Sequence, residues 1–249
     1  MHIVNVITHF KRKSMRKITT LTILGYFIFN YSFGQNIEKA EAHLDKQLVA
    51  ILDTISVDDQ KYRGDKNYRQ QLDDFAKKYG WESKEVKDHL KLMKDQDSIN
   101  LIKIKKILDE HGWLGSDIVG NLGDSTLFLV IQHSDLETQE KYLPMMREAV
   151  QKGNAKANNL AFLEDRVALR KGEKQIYGSQ IARDPETREW FVSPLIDPDN
   201  VDKRRAEVGL GTLQDYISDF GMTWNVEEYK KKLPELEKRI NYLKTKYKK

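Results

Sequence analysis

Apolar residues recur three and four positions apart through most of this chain, and glycines end the runs. That spacing commits the sequence to packed helices. Ile37, Ala40, Leu44, Leu48, Ile51, Leu52 and Ile55 predict a first helix from about Ile37 to Ile55 or beyond. Tyr68, Leu72, Phe75, Ala76 and Tyr79 predict a second, ended by Gly80. Ser83 is placed to cap a long third helix with Val86, Leu90, Met93, Leu101, Ile104, Ile107 and Leu108, stopped by Gly112. Glycines 115, 120 and 123 then read as a loop holding Trp113. The run Leu127-Phe128-Leu129-Val130-Ile131 is apolar on all sides, which places it at the centre; its helical neighbours favour helix over strand. Further helices follow from Leu136 to Gln151 and from about Ala155 to Arg170, closed by Gly153 and Gly172.

The texture changes after Gly172. Gln175-Ile176-Tyr177 and Trp190-Phe191-Val192 flank the turn sequence Asp184-Pro185-Glu186-Thr187, which predicts one β-hairpin at about residues 174–193. Short helices at Val201–Val208 and Leu213–Phe220 and a basic C-terminal helix complete the chain. The expectation is a mainly α, irregular helical domain with one β-hairpin, spanning residues 35–249.

Residues 1–34 read differently. Lys11, Arg12, Lys13, Arg16 and Lys17 precede an apolar run from Ile18 to Phe33, and small residues Ser32 and Gly34 surround its end. That is the pattern of a secretory signal peptide cleaved after Gly34, and it predicts a secreted or periplasmic protein. The alternative is an uncleaved anchor, which would be the protein's one link to a membrane. Against it, the run falls short of the ~20 residues a spanning helix needs, and Asn30 interrupts it. Five of the 42 basic residues lie in this leader and none of the 38 acids, so the remainder carries 37 against 38. A chain so balanced has no nucleic-acid footprint. The absence of cysteine excludes disulfides, thiolate metal sites and cysteine nucleophiles.

The functional signal is polar side chains on stripes that otherwise face the core. Glu164 falls in the middle of the apolar face made by Ala157, Leu160, Ala161, Leu163, Val167 and Ala168, with Asp165 and Arg166 outside it. Gln139 sits likewise among Tyr142, Leu143, Met146 and Val150. Asp59 continues the first helix's stripe, with Arg63 one turn on, and Asp97 and Asn100 lie on the inner face of the third helix. His133 ends the most buried element, and Asp135 is placed to cap the next helix. Buried carboxylates need partners, and shifted ionisable groups mark candidate sites. The expectation is that these groups converge in one interior pocket. There Glu164 and His133 would act as acid and base, with Asp59 as the paired carboxylate. Hydrolysis of a small molecule or glycan outside the cytoplasm is the leading reading; a non-catalytic ligand-binding or structural protein of the cell envelope is the other. His133, Glu164 and Asp97 are possible metal ligands, but no H-E-x-x-H or paired E-x-x-H spacing occurs, so metal ranks lower and no cofactor is named. Gln175, Tyr177, Ser179 and Gln180, with Arg204 and Arg205, form a second group of potential ligand contacts.

Four segments carry a resemblance. Gln132-His133-Ser134-Asp135 with Gln139, Leu163-Glu164-Asp165-Arg166-Val167-Ala168, Gln175-Ile176-Tyr177-Gly178-Ser179-Gln180, and Asp202-Lys203-Arg204-Arg205 before Gly209-Leu210 are similar to an uncharacterised bacterial domain of unknown function. The likeness runs from Trp113 to Leu210, with Asp59-Gln60 as an upstream extension, and implies no activity.

Overall fold

The computed structural model describes residues 43–63, 66–184 and 186–246. The expected leader and the start of the expected first helix lie outside them. Among the described residues the order is α1 (Lys46–Arg63), α2 (Lys66–Tyr79), α3 (Lys84–His111), α4 (Ser116–His133), α5 (Leu136–Gln151) and α6 (Ala157–Lys171). Then come β1 (Ile181–Arg183), β2 (Trp190–Val192), a single 3-10 turn (Pro198–Asn200), α7 (Val201–Glu207), α8 (Leu213–Ser218) and α9 (Val226–Lys246). This is the mainly helical architecture with one antiparallel hairpin that the periodicity predicts. None of these helices is long and apolar enough to cross a membrane.

The helix ends follow local chemistry. The Ser83 hydroxyl accepts the Val86 N–H at 3.4 Å, and Gly172, at φ +88°, closes α6 in the left-handed conformation that glycine adopts without strain. The Gly115–Gly123 stretch corrects the expected loop. It is helical from Ser116 and departs from helical geometry at Gly120 (φ +73°), so the glycine makes a kink inside α4. Gly123 then lets α4 approach α1: a Cβ there would stand 2.9 Å from Val119 Cβ and 3.0 Å from Leu52 Cδ1.

α4 is the central element. Leu127 and Ile131 are fully buried, together with Leu52 and Ile55 of α1, Ile104 and Leu108 of α3, Tyr142 and Met146 of α5, and Leu163 of α6. A second, smaller cluster of Val192, Leu195, Val201, Leu213 and Ile217 lies where β2 and the short helices meet. The hairpin pairs Ile181 with Val192, Ala182 with Phe191 and Arg183 with Trp190. Its first strand therefore starts later than Gln175. The Gln175–Ser179 segment has another task, described below.

Candidate functional site

Three helices deliver side chains to one point. The last turns of α1 carry Asp59, Gln60 and Arg63; the middle of α3 carries Asp97 and Asn100; the end of α4 carries His133. Asp59 is 2% exposed and stands at the centre. Its Oδ1 lies 3.0 Å from His133 Nδ1 and accepts from Arg63 Nη1 at 3.0 Å, while its Oδ2 accepts from Gln60 Nε2 at 2.7 Å. The other guanidinium nitrogen, Nη2, donates to Asp97 Oδ2 at 2.7 Å. Arg63 thus ties the two carboxylates together.

Electrostatics sorts the protonation states. Burial works to raise the Asp59 carboxyl, but the His133 hydrogen bond and the charges of His133 and Arg63 outweigh it and hold the group below its ordinary range. Burial lowers His133 below the ordinary imidazole value; Asp59 opposes this, and the charges of Arg63 and Arg166 assist it. At neutral pH the pair is an ionised Asp59 accepting from the Nδ1–H of a neutral imidazole. No described residue bonds Nε2, and the side chain is 10% exposed.

The ring is held from behind. Gln139, fully buried, donates to the carbonyls of Gln132 at 2.9 Å and Ile131 at 3.4 Å, occupying acceptors that the end of α4 leaves over. Ser134 Oγ donates to Ile131 O at 2.7 Å, and Arg170 Nη1 donates to Ser134 O at 2.6 Å. Asp135 caps α5 by accepting the Thr138 N–H at 2.8 Å. Asn100 accepts from Gln96 Nε2 at 3.1 Å, and its buried Nδ2, like Asp97 Oδ1, has no hydrogen-bond partner among the described residues.

A family model spans residues 59–227, beginning at Asp59 and covering both this cluster and the hairpin; its description is a family of unknown function, DUF6624. The chain belongs to that family. No curated protein and no solved structure matches it.

Glu164 stands apart in this DUF6624 domain. It bonds Arg147 Nε at 2.8 Å and lines a shallow groove of about 300 Å³ between α5 and α6 with Leu143, Pro144, Val167 and Lys171. Arg166, two residues on, is the α6 side chain whose charge reaches His133 and Arg63. The structure therefore brings Asp59, Asp97 and His133 into one network, with Asn100 beside it and Gln139 and Asp135 as supports, and leaves Glu164 elsewhere.

The buried carboxylate of α6 is Asp165, which the periodicity had placed outside the core face. Its Oδ1 accepts the N–H groups of Ile176 at 2.6 Å and Tyr177 at 3.0 Å, and its Oδ2 that of Ser179 at 2.9 Å. The Gln175–Ser179 segment wraps this side chain instead of forming a strand, and so creates a second buried face that a one-sided helical count misses. Of the second group of expected ligand contacts, Gln175, Ser179, Gln180 and Arg205 are buried and Arg204 is partly exposed, and the half-buried Tyr177 meets Glu164 with its side chain. Gln175 Nε2 donates to Ser193 O at 2.8 Å, and its Oε1 accepts from Gln180 N at 2.8 Å. Gln180 Nε2 donates to Ser179 Oγ at 2.9 Å. Arg204 Nε donates to Ile176 O at 2.9 Å, and the fully enclosed Arg205 donates to Tyr177 O at 2.8 Å and Gly211 O at 2.6 Å. Arg63, Gln60 and Asp165 are the residues the sequence reading underweighted. The spacing Asp59-Gln60-x-x-Arg63, which puts cation and carboxylate one helical turn apart, was the available signal for the first two.

Proposed function

We propose that this DUF6624 protein is an exported hydrolase-type enzyme in which His133, oriented by Asp59, is the general base. One observation carries the reading. The imidazole has Nδ1 committed to a buried carboxylate and Nε2 without a partner among the described residues. A neutral imidazole in that state is poised to take a proton. Nε2 would accept a proton from water as the water oxygen attacks the electrophilic centre of the substrate. The resulting imidazolium would return it to the leaving group. Asp59 stabilises that imidazolium, and Arg63 keeps Asp59 ionised before and after.

The expected use of Glu164 as acid is dropped, because Glu164 lies on a different face of α6 with Arg147. A paired-carboxylate glycosidase mechanism has little support too, since Asp59 and Asp97 are both engaged by Arg63. Export rests on the basic, apolar leader, and it makes extracytoplasmic small molecules or glycans the substrates on offer.

A second reading, a non-catalytic ligand-binding or structural protein of the cell envelope, draws on the burial of His133, whose side chain is 10% exposed, and on the engagement of Asp59 and Asp97 by Arg63. Turnover separates the two. Mature protein and His133→Gln would be assayed on chromogenic esters, phosphoesters and glycosides, with melting temperature followed in parallel. Loss of turnover in a variant that still folds is expected. Equal turnover in both proteins would remove His133 from the mechanism, and no turnover on any linkage would favour the second reading.

A further inference from the structure

The last helix stands off the hairpin. α9 is tethered near its start by Tyr229, whose hydroxyl donates to Ser193 O at 3.0 Å and accepts the Leu195 N–H at 2.9 Å. Two to three turns on, Arg239 bonds Asp184 at 2.7 and 2.9 Å and Glu186 at 2.7 Å. Between the tethers a cleft of about 610 Å³ separates α9 from β2 and the segment after α8. That volume is within the ~300–1,000 Å³ typical of small-molecule sites.

Its walls are aromatic. Trp190, Phe191, Trp224 and Tyr229 line it, all of them half-buried, and Met222 and Leu236 add apolar surface. Its charges do not balance. Asp184 is paired with Arg239, and Glu228 with Lys232 at 2.5 Å. Glu189 and Glu235 also line the cleft within electrostatic reach of Lys232, which bonds Glu228, so that among the described residues four lining carboxylates face two cations. Ring faces attract cations through their quadrupole, and the excess of carboxylates over cations adds to the same preference.

We propose that this cleft binds a small organic cation with an apolar body, an alkyl- or arylammonium whose charged head sits between aromatic faces and the carboxylates of Glu189 and Glu235. The site is separate from the His133 network and stands or falls independently of the hydrolase reading.

Titration calorimetry and tryptophan emission on the mature protein test it, with benzyltrimethylammonium as probe and benzenesulfonate and cellotetraose as comparisons. Saturable binding of the ammonium alone is expected, weakening as salt is raised. The double variant Glu189→Gln/Glu235→Gln, altered only at exposed positions, is expected to keep its melting temperature and bind about tenfold more weakly. The proposal is overturned if the ammonium fails to saturate, if the sulfonate or the oligosaccharide binds as tightly, or if the double variant binds unchanged.

Discussion

His133 Nδ1 and Asp59 Oδ1 lie 3.0 Å apart although 74 positions separate the two residues in the chain. The contact joins the end of α1 to the end of α4, the two helices whose packing Gly123 permits. Asp59 is a positioning residue: it fixes which imidazole nitrogen carries the proton. Asp59→Asn keeps the shape and removes the charge, leaving Arg63 with Asp97 alone. Because removing one partner of a buried ion pair is strongly unfavourable, we expect a loss of about 3 kcal/mol in urea unfolding. The imidazole, deprived of its anion, should also titrate at lower pH by NMR. A variant with wild-type stability and an unchanged His133 titration would show that the 3.0 Å contact has no energetic weight.

Stability should fall on the acid side. His133 has a folded value below 6.5, so beneath 6.5 the unfolded chain binds the extra proton and the folded one resists it. This contribution is complete above 6.5 and is lost as pH falls from there toward the lowered folded value. Asp59, held below 3.8, adds a second loss that sets in as pH falls through 3.8. Thermal melts of the wild type against His133→Gln should diverge at neutral pH and converge under acid. Parallel curves across that range would mean that His133 does not titrate differently on folding.

Glu164→Gln separates the structural account from the sequence expectation. Glu164 faces a groove and pairs with the half-exposed Arg147, an arrangement worth at most about 1 kcal/mol. The substitution is expected to leave both the melting temperature and any His133-dependent turnover close to wild type. A large fall in turnover with the fold intact would restore Glu164 to the chemistry.

The contrast between Glu164 and Asp165 shows how much was legible in the sequence. Helical spacing and glycine stops place α2, α3, α5 and α6 to within a few residues; α1 is shifted, since residues 43–45 of the expected span are not helical and the helix runs on to Arg63, and α4 starts earlier than expected. The meeting of Asp59, Asp97 and His133 was legible from the same spacing: the two carboxylates fall on apolar stripes, and the histidine ends the most buried apolar run. What failed was the burial of α6 on a second side. Main-chain N–H groups of a loop supply the partners for Asp165, and main-chain donors leave no trace in residue type. Gln175 misled in a related way. Its flanking alternation suits a strand, but its main chain makes only an isolated parallel bridge with Leu195, while its amide holds Ser193 and Gln180. Arg205 reads as a surface cation and is enclosed, because two carbonyls and the Tyr216 ring surround its guanidinium.

Asp165 supplies the last prediction. Three N–H groups of one loop, those of Ile176, Tyr177 and Ser179, converge on its two oxygens in a place without exposure to water. Asp165→Ala strands all three, and each buried unsatisfied donor costs about 1–3 kcal/mol, so a loss above about 3 kcal/mol is expected. Asp165→Asn retains one acceptor oxygen but turns an NH2 toward the remaining donor, so it should fall between wild type and alanine. Hydrogen exchange sharpens the test, since the three amides should lose protection together while those of α4 keep theirs. If alanine is tolerated and the three amides stay protected, the loop is held by Gln175 and Arg205 without Asp165, and the carboxylate must be there for a reason other than architecture.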